Sequence, residues 1–270
     1  MYKIEKTSTI ILIHSTVFYI LSYLIILIFF QLITAISGQF FDLPALVRYN
    51  RLDFLVTTQA WTFDSIKLIF TSGVITALLL GLICLVIFIK ASRFEGLLKI
   101  FFFWGFVHGL NMFIGSVVIG AFFYEGMGYV YAWMYVDDTL KMFLLFGGLV
   151  IMLGIGTWMV KPMLVSANIY YNTGRAENRR EFKRYQFIYP YIISTIILIL
   201  YRLPLSLYET FILITPGFFL LPLLSSFHQY TIFFFDEKER NNKLNIKVLI
   251  FTLVLMLIYR IILGYGLRIG

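Results

Sequence analysis

The chain has 270 residues, of which 60% are hydrophobic, 19% aromatic and only 13% charged, with a formal net charge of +8. Soluble domains use roughly a quarter charged residues, so this composition excludes an ordinary water-soluble globule and makes the lipid bilayer the expected partner of most of the surface. The basic surplus lies in short loops between apolar runs, where it reads as a topology signal, and no nucleic-acid partner is expected.

The apolar runs predict an all-α, multi-pass transmembrane bundle in a single domain, with about seven spans and six as the alternative count. They fall near 10–35, 68–89, 100–123, 142–160, 187–202, 208–226 and 248–266. The first follows a basic start, MYKIEK, and is longer than the apolar core of a secretory signal, about 7 to 15 residues, so it is expected to stay as a span. Cleavage at Thr34–Ser37 (TAIS) is the alternative. The loop after this run, GQFFDLPALVRYNRLDFLVTTQAWTFDSIK, mixes apolar and charged residues and suits either an interfacial helix or a solvated connector. Cys84, in the second run, is the only cysteine, so neither a disulfide nor a cysteine metal cage is available within the chain, and no cofactor or metal is expected.

The third run, FFFWGFVHGLNMFIGSVVIGAFF, carries the most information. Trp104, His108, Asn111 and Gly115 recur at four, three and four residues, which places them on one helix face as a polar stripe. Counted from Ile100 at about 1.5 Å per residue, His108 lies about 12 Å deep and Asn111 about 17 Å, near the bilayer centre. Beside them Gly105, Gly109, Ser116 and Gly120 make a small-residue surface suited to close helix packing. The stripe carries two expectations: a mid-membrane polar cavity for proton relay or substrate coordination, or interhelical hydrogen bonds. The zinc-protease pattern His-Glu-x-x-His fails, because Gly109 and Met112 stand where the base and second ligand belong. Ser116 shares its helix with His108, which disfavours a serine–histidine pair drawn from separate helices.

The next loop, YEGMGYVYAWMYVDD, crowds aromatic residues at the membrane surface and reads as an aromatic belt, with a short extended segment as an option from its alternation. Asp137 with Asp138 precedes the fourth run and is better explained as a helix cap than as a cation site. After that run comes the basic stretch Gly174 to Arg184, where Arg175 to Arg184 is expected to meet anionic lipid headgroups. The fifth and sixth runs contain Pro190, Pro204, Pro216, Gly217 and Pro222, read as kinks or as broken helices around a cargo. The stretch Asp236 to Lys243 is expected to be a solvated loop, and Arg260 in the last run to snorkel towards the interface.

With the amino terminus inside, fifteen basic residues fall on inner segments and six on outer ones, Arg260 uncounted, so the amino terminus is expected in the cytoplasm and the carboxyl terminus outside. Residue usage rich in Ile, Phe, Lys and Tyr suggests a bacterial inner membrane. Glu125, Asp137, Asp138, Arg202, Glu209 and Arg260 then form an outer charged cluster. The leading functional expectation is a non-enzymatic subunit or scaffold of a membrane complex, with a membrane-protein partner or a second copy packed on the glycine face. A small transporter using His108 and Asn111 is the alternative, and an intramembrane enzyme acting on lipid or peptide is the third.

Overall fold

The computed structural model describes residues 2–92, 96–167, 170–171, 176–228 and 244–270, without the side chains of residues 2–6 and of His228. Arg93, Arg175 and the expected loop Asp236 to Lys243 lie outside the described residues. The protein is an all-α, multi-pass helical bundle. Its helices are α1 (Tyr2–Gln39), α2 (Phe63–Ala91), α3 (Leu98–Gly120), α4 (Met127–Trp133), α5 (Asp138–Ala167), α6, α7 (Leu207–Ser225) and α8 (Ile246–Tyr265). Helix α6 begins as Ala176–Lys183, passes through a π-turn at Arg184–Ile188 and ends as Tyr189–Arg202.

Among the described residues, six helices are long and apolar enough to cross a bilayer: α1, α2, α3, α5, α7 and α8. They make this an integral membrane protein. The expected span at 187–202 is the apolar second half of α6. Its first turns carry Arg179, Arg180, Lys183 and Arg184, and the 14 residues of Tyr189–Arg202 extend about 21 Å, short of a hydrocarbon core about 30 Å thick. It nonetheless carries the chain from one end of the bundle to the other. Gln186 meets Ser15 and Tyr170 near one end, and Arg202 meets Asn50 at the other.

Local chemistry sets several helix starts. Thr62 and Ser65 form a reciprocal capping box at the start of α2. The Asp137 carboxylate accepts from the Leu140 amide at 2.8 Å at the start of α5, and Ser206 accepts from the Glu209 amide at 3.2 Å at the start of α7. Helix α3 is the centre of the bundle, with 83% of its apolar window buried against 17% for α8. It is enclosed by α1, α2, α5 and α7, while α6 lies along α1.

The first loop is neither an interfacial helix nor a plain connector. Its residues form β1 (Ala45–Val47) and β2 (Leu52–Phe54), and β3 (Leu267–Ile269) adds from the carboxyl-terminal segment, giving an antiparallel sheet in the order β2-β1-β3. Ala45 and Val47, two residues apart on one face of β1, are fully buried against α1 and α8, which is the period a strand imposes. Because β1 follows α1 and β3 follows α8, both helices finish at one end, called here the sheet end. In the aromatic loop the extended option is not taken: the segment forms α4, with Met127, Val130 and Tyr131 buried at helical spacing.

Candidate functional site

The stripe on α3 is buried and internally bonded. His108 is 2% exposed and Asn111 3% exposed. Trp104 Nε1 donates to Ser15 Oγ at 2.8 Å, and Ser15 Oγ donates to the Gln186 carbonyl at 2.7 Å. His108 Nε2 meets the Tyr19 carbonyl at 3.1 Å, so that nitrogen carries the proton. The Tyr19 and Tyr23 rings pack edge-on against the imidazole at 4.3 and 5.3 Å between centroids. Asn111 Nδ2 donates to the Ile212 carbonyl at 2.7 Å, and the Thr215 hydroxyl meets Asn111 Oδ1 at 2.7 Å. A Cβ on Gly115 would stand 2.9 Å from Asn111 Oδ1 and 3.0 Å from Thr215 Oγ1, so glycine leaves room for this pair.

Two of these bonds share a physical cause. In an α-helix the Gln186 carbonyl accepts from the amide at position 190 and the Ile212 carbonyl from that at 216, and both positions are proline. Proline has no N–H, so each carbonyl loses its regular partner within a low-dielectric bundle, where an unmet polar group is costly. Ser15, held by Trp104, supplies the first missing donor and Asn111 the second. Asn111 itself sits at the start of a π-turn, Asn111–Gly115, inside α3. Within the stripe, Asn111 thus answers the break at Pro216 of α7 directly, and Trp104 acts at the Pro190 offset of α6 only through Ser15 of α1.

The small-residue face is also used inside the chain. A Cβ on Gly109 would come within 2.5 Å of both the Ala77 carbonyl oxygen and Gly81 Cα, and one on Gly105 within 2.7 Å of Cys84 Sγ. Helices α2 and α3 meet here almost backbone to backbone. Gly120 makes the same kind of approach to Met127 and Gly128 of α4, and the Ser116 hydroxyl donates back to the Met112 carbonyl at 2.6 Å. Gly109→Ala is therefore expected to cost about 1–2 kcal/mol, because backbone must move. Gly105→Ala is expected to cost less, since the Cys84 side chain can rotate. Thermal unfolding of both variants in one detergent checks the order, and equal midpoints would refute it.

An open cavity lies at the sheet end. About 540 Å³ in volume, it is walled by Leu27, Phe30 and Gln31 of α1, Arg51 and Asp53 of the hairpin, and Phe70 and Val74 of α2. Glu125 and Tyr129 close it from the α3–α4 side, and Ser206 and Glu209 from the start of α7. Near it lies Arg202, 3% exposed, a buried polar junction. Its guanidinium donates to the Tyr23 hydroxyl at 2.5 Å, to the Asn50 carbonyl at 2.5 Å and to Glu209 Oε1 at 2.9 Å. The hairpin tip is pinned beside it, with the Tyr49 hydroxyl donating to the Leu203 carbonyl at 2.9 Å and Asn50 Nδ2 to the Pro204 carbonyl at 2.8 Å. These contacts fix the hairpin wall relative to the α6–α7 link.

The charges around the cavity are unevenly matched. Asp53 is shared by Arg51 at 2.9 Å and Arg48 at 3.3 Å, and Glu209 is paired with Arg202. The Glu125 carboxylate makes no hydrogen bond or ion pair with any described residue. Beside it Tyr129 packs in a run of rings, edge-on to Tyr124 at 5.1 Å and tilted against Phe70 at 5.1 Å, and Phe70 in turn stacks on Trp61 at 5.8 Å. Burial first, and then the Glu125 charge and the Tyr124 phenol, push the Tyr129 phenol above its usual range. Gly126, at φ 55°, turns the chain so closely against Tyr208 that a Cβ would lie 2.3 Å from the phenol oxygen.

The outer charged cluster is thus divided. Glu125, Glu209 and Arg202 gather at the cavity. Asp137 is a helix cap, and Asp138 pairs with Lys141 at 3.0 Å on an exposed surface. Arg260 lies 3.8 Å over the Tyr49 ring, donates to the Tyr201 carbonyl at 2.7 Å and is exposed. In the sequence Asp53, Arg51 and Tyr129 read only as loop charges and an aromatic belt and not as site residues, because their shared position depends on the hairpin folding back beside α4. The proline offsets are the one signal that marks Gln186 and Ile212 as carbonyls in need of a donor. Comparison with protein-family models, with curated proteins and with solved structures finds no match.

Proposed function

We propose that this integral membrane protein is a non-enzymatic binding subunit of a bacterial inner membrane, with its amino terminus in the cytoplasm and its sheet-end cavity on the outer face. The observation that carries the reading is the open cavity of about 540 Å³, bearing a carboxylate without an ion-pair partner among the described residues, while the mid-membrane stripe is spent on bonds between helices. A pocket of this size, apolar with a few convergent polar groups, is the ordinary form of a small-ligand site. The absence of a catalytic pattern from the sequence supports binding over turnover, and the charge bias of the loops supports the orientation. Exposed Arg180 and Arg184 then face the anionic headgroups of the cytoplasmic leaflet.

Two measurements test this reading. In a Cys84→Ala background, Tyr135→Cys, at a position 92% exposed beside the cavity end, is expected to react with a membrane-impermeant maleimide in intact cells. Arg180→Cys is expected to react only after permeabilisation, and the reverse pattern would invert the orientation. For binding, Leu52→Trp fills the cavity from its β2 wall. Native mass spectrometry of protein extracted gently from membranes is expected to show a bound molecule on the wild type and its loss from Leu52→Trp at unchanged helicity. Identical spectra for the two proteins would end the binding proposal.

A further inference from the structure

The cavity's charges and walls limit the chemistry of its occupant, a deduction that rests on the binding role proposed for it. Its formal charges separate into two poles. At the hairpin, Arg48 and Arg51 share the single carboxylate of Asp53, leaving one positive charge in excess, and the Arg51 side chain is 57% exposed at the cavity rim. On the α3–α4 side Glu125 is a negative charge without an ion-pair partner among the described residues, close enough to Glu209 and Tyr129 to act on both, with Phe70 against the Tyr129 ring. Leu27, Phe30 and Val74, which belong to the spans α1 and α2, give the same cavity an apolar wall.

We propose that the cavity holds the zwitterionic headgroup of an ammonium-bearing phospholipid, its ammonium between Glu125 and the Tyr129 and Phe70 rings and its phosphate at Arg51. A carboxylate with aromatic faces is the chemistry that selects an ammonium group, and a guanidinium at the mouth is the chemistry that receives a phosphate. An anionic headgroup without an ammonium would satisfy Arg51 through its phosphate and leave Glu125 uncompensated. A neutral diacylglycerol would leave both poles unmet. The apolar wall favours a ligand that keeps its acyl chains, so the lipid and not a free phosphoamine is the expected occupant.

The test uses the full-length protein in detergent, with dioleoylphosphatidylethanolamine, dioleoylphosphatidylglycerol, dioleoylglycerol and free O-phosphoethanolamine as separate probes, read by native mass spectrometry and by thermal midpoint. The ethanolamine lipid is expected to bind about tenfold tighter than the glycerol lipid, and Glu125→Gln to bring the two close to parity. Tyr129→Leu is expected to weaken the same preference, while Asp138→Asn, away from the cavity, serves as the unaffected control. Equal affinity for the two phospholipids, or an unchanged preference in Glu125→Gln, overturns the headgroup assignment. Tight binding of free O-phosphoethanolamine would overturn the lipid in favour of a soluble ligand. Lipid retention that is indifferent to Leu52→Trp fails the cavity reading itself, whereas retention that is lost in Leu52→Trp but blind to headgroup fails only this inference.

Discussion

Arg202→Ala is expected to destabilise the protein by about 3–5 kcal/mol, because it removes one partner of a buried charge pair and leaves the others unmet. The Arg202 side chain is 4% exposed and that of Glu209 22% exposed. Removal strands the Glu209 carboxylate, the Tyr23 hydroxyl and the Asn50 carbonyl together, and it unpins the hairpin from the α6–α7 link. Arg202→Lys is expected to recover only part of the loss, since a single ammonium cannot reproduce a planar fork that reaches α1, the hairpin and α7 at once. Replacing both partners with apolar groups, Arg202→Met with Glu209→Leu, is expected to cost less than the sum of the single changes, because no charge is then left buried alone. Reversible unfolding in mixed micelles measures these differences. An Arg202→Ala protein within 1 kcal/mol of wild type, a margin set by the usual spread of exposed ion pairs of about 0–1 kcal/mol, would show that the junction is solvated and not structural.

Asn111→Ala is expected to cost about 1–3 kcal/mol, and the size of the loss is expected to depend on Pro216. In the wild-type chain Asn111 donates to the Ile212 carbonyl that Pro216 deprives of a backbone donor. Pro216→Ala restores an N–H at position 216, so in that background the Ile212 carbonyl regains its ladder partner and Asn111→Ala should cost less. A double-mutant cycle of thermal midpoints isolates the coupling. The Thr215 hydroxyl, 2.9 Å from the same carbonyl, can take over part of the role and sets a ceiling on the effect. Additive effects of Asn111→Ala and Pro216→Ala would break the proposed link between the asparagine and the proline.

Much of the bundle was legible because lipid acts on sequence directly. A run of about twenty apolar residues has one stable outcome in a bilayer, a helix that closes its own hydrogen bonds, and it needs no distant partner to specify it. The stripe of Trp104, His108, Asn111 and Gly115 was legible for a similar local reason, since helical spacing alone sets which residues share a face. What those residues face was not. Whether Asn111 meets water or the Ile212 carbonyl depends on a helix about a hundred residues further along the chain, and no periodicity reports it. Helix α6 shows the limit of length arguments: its apolar part is short, and contacts at its two ends, not hydropathy, establish that it traverses the bundle.

The sheet end was least readable. Strands of three residues carry too little pattern to be seen in a chain so rich in apolar residues, and β1 is stabilised by β3 from the far carboxyl-terminal segment. By itself, the sequence determined that this is a multi-pass helical membrane protein, which residues lie deep on α3, and where proline interrupts the helices. Tertiary structure alone decided that Asn111 and Ser15 answer the interruptions at Pro216 and Pro190 and that Glu125, Glu209 and Arg51 line one cavity. The physical reason is that burial in lipid and helix periodicity are properties of neighbours along the chain, whereas a donor's acceptor and a pocket's walls are supplied by segments that only packing brings together.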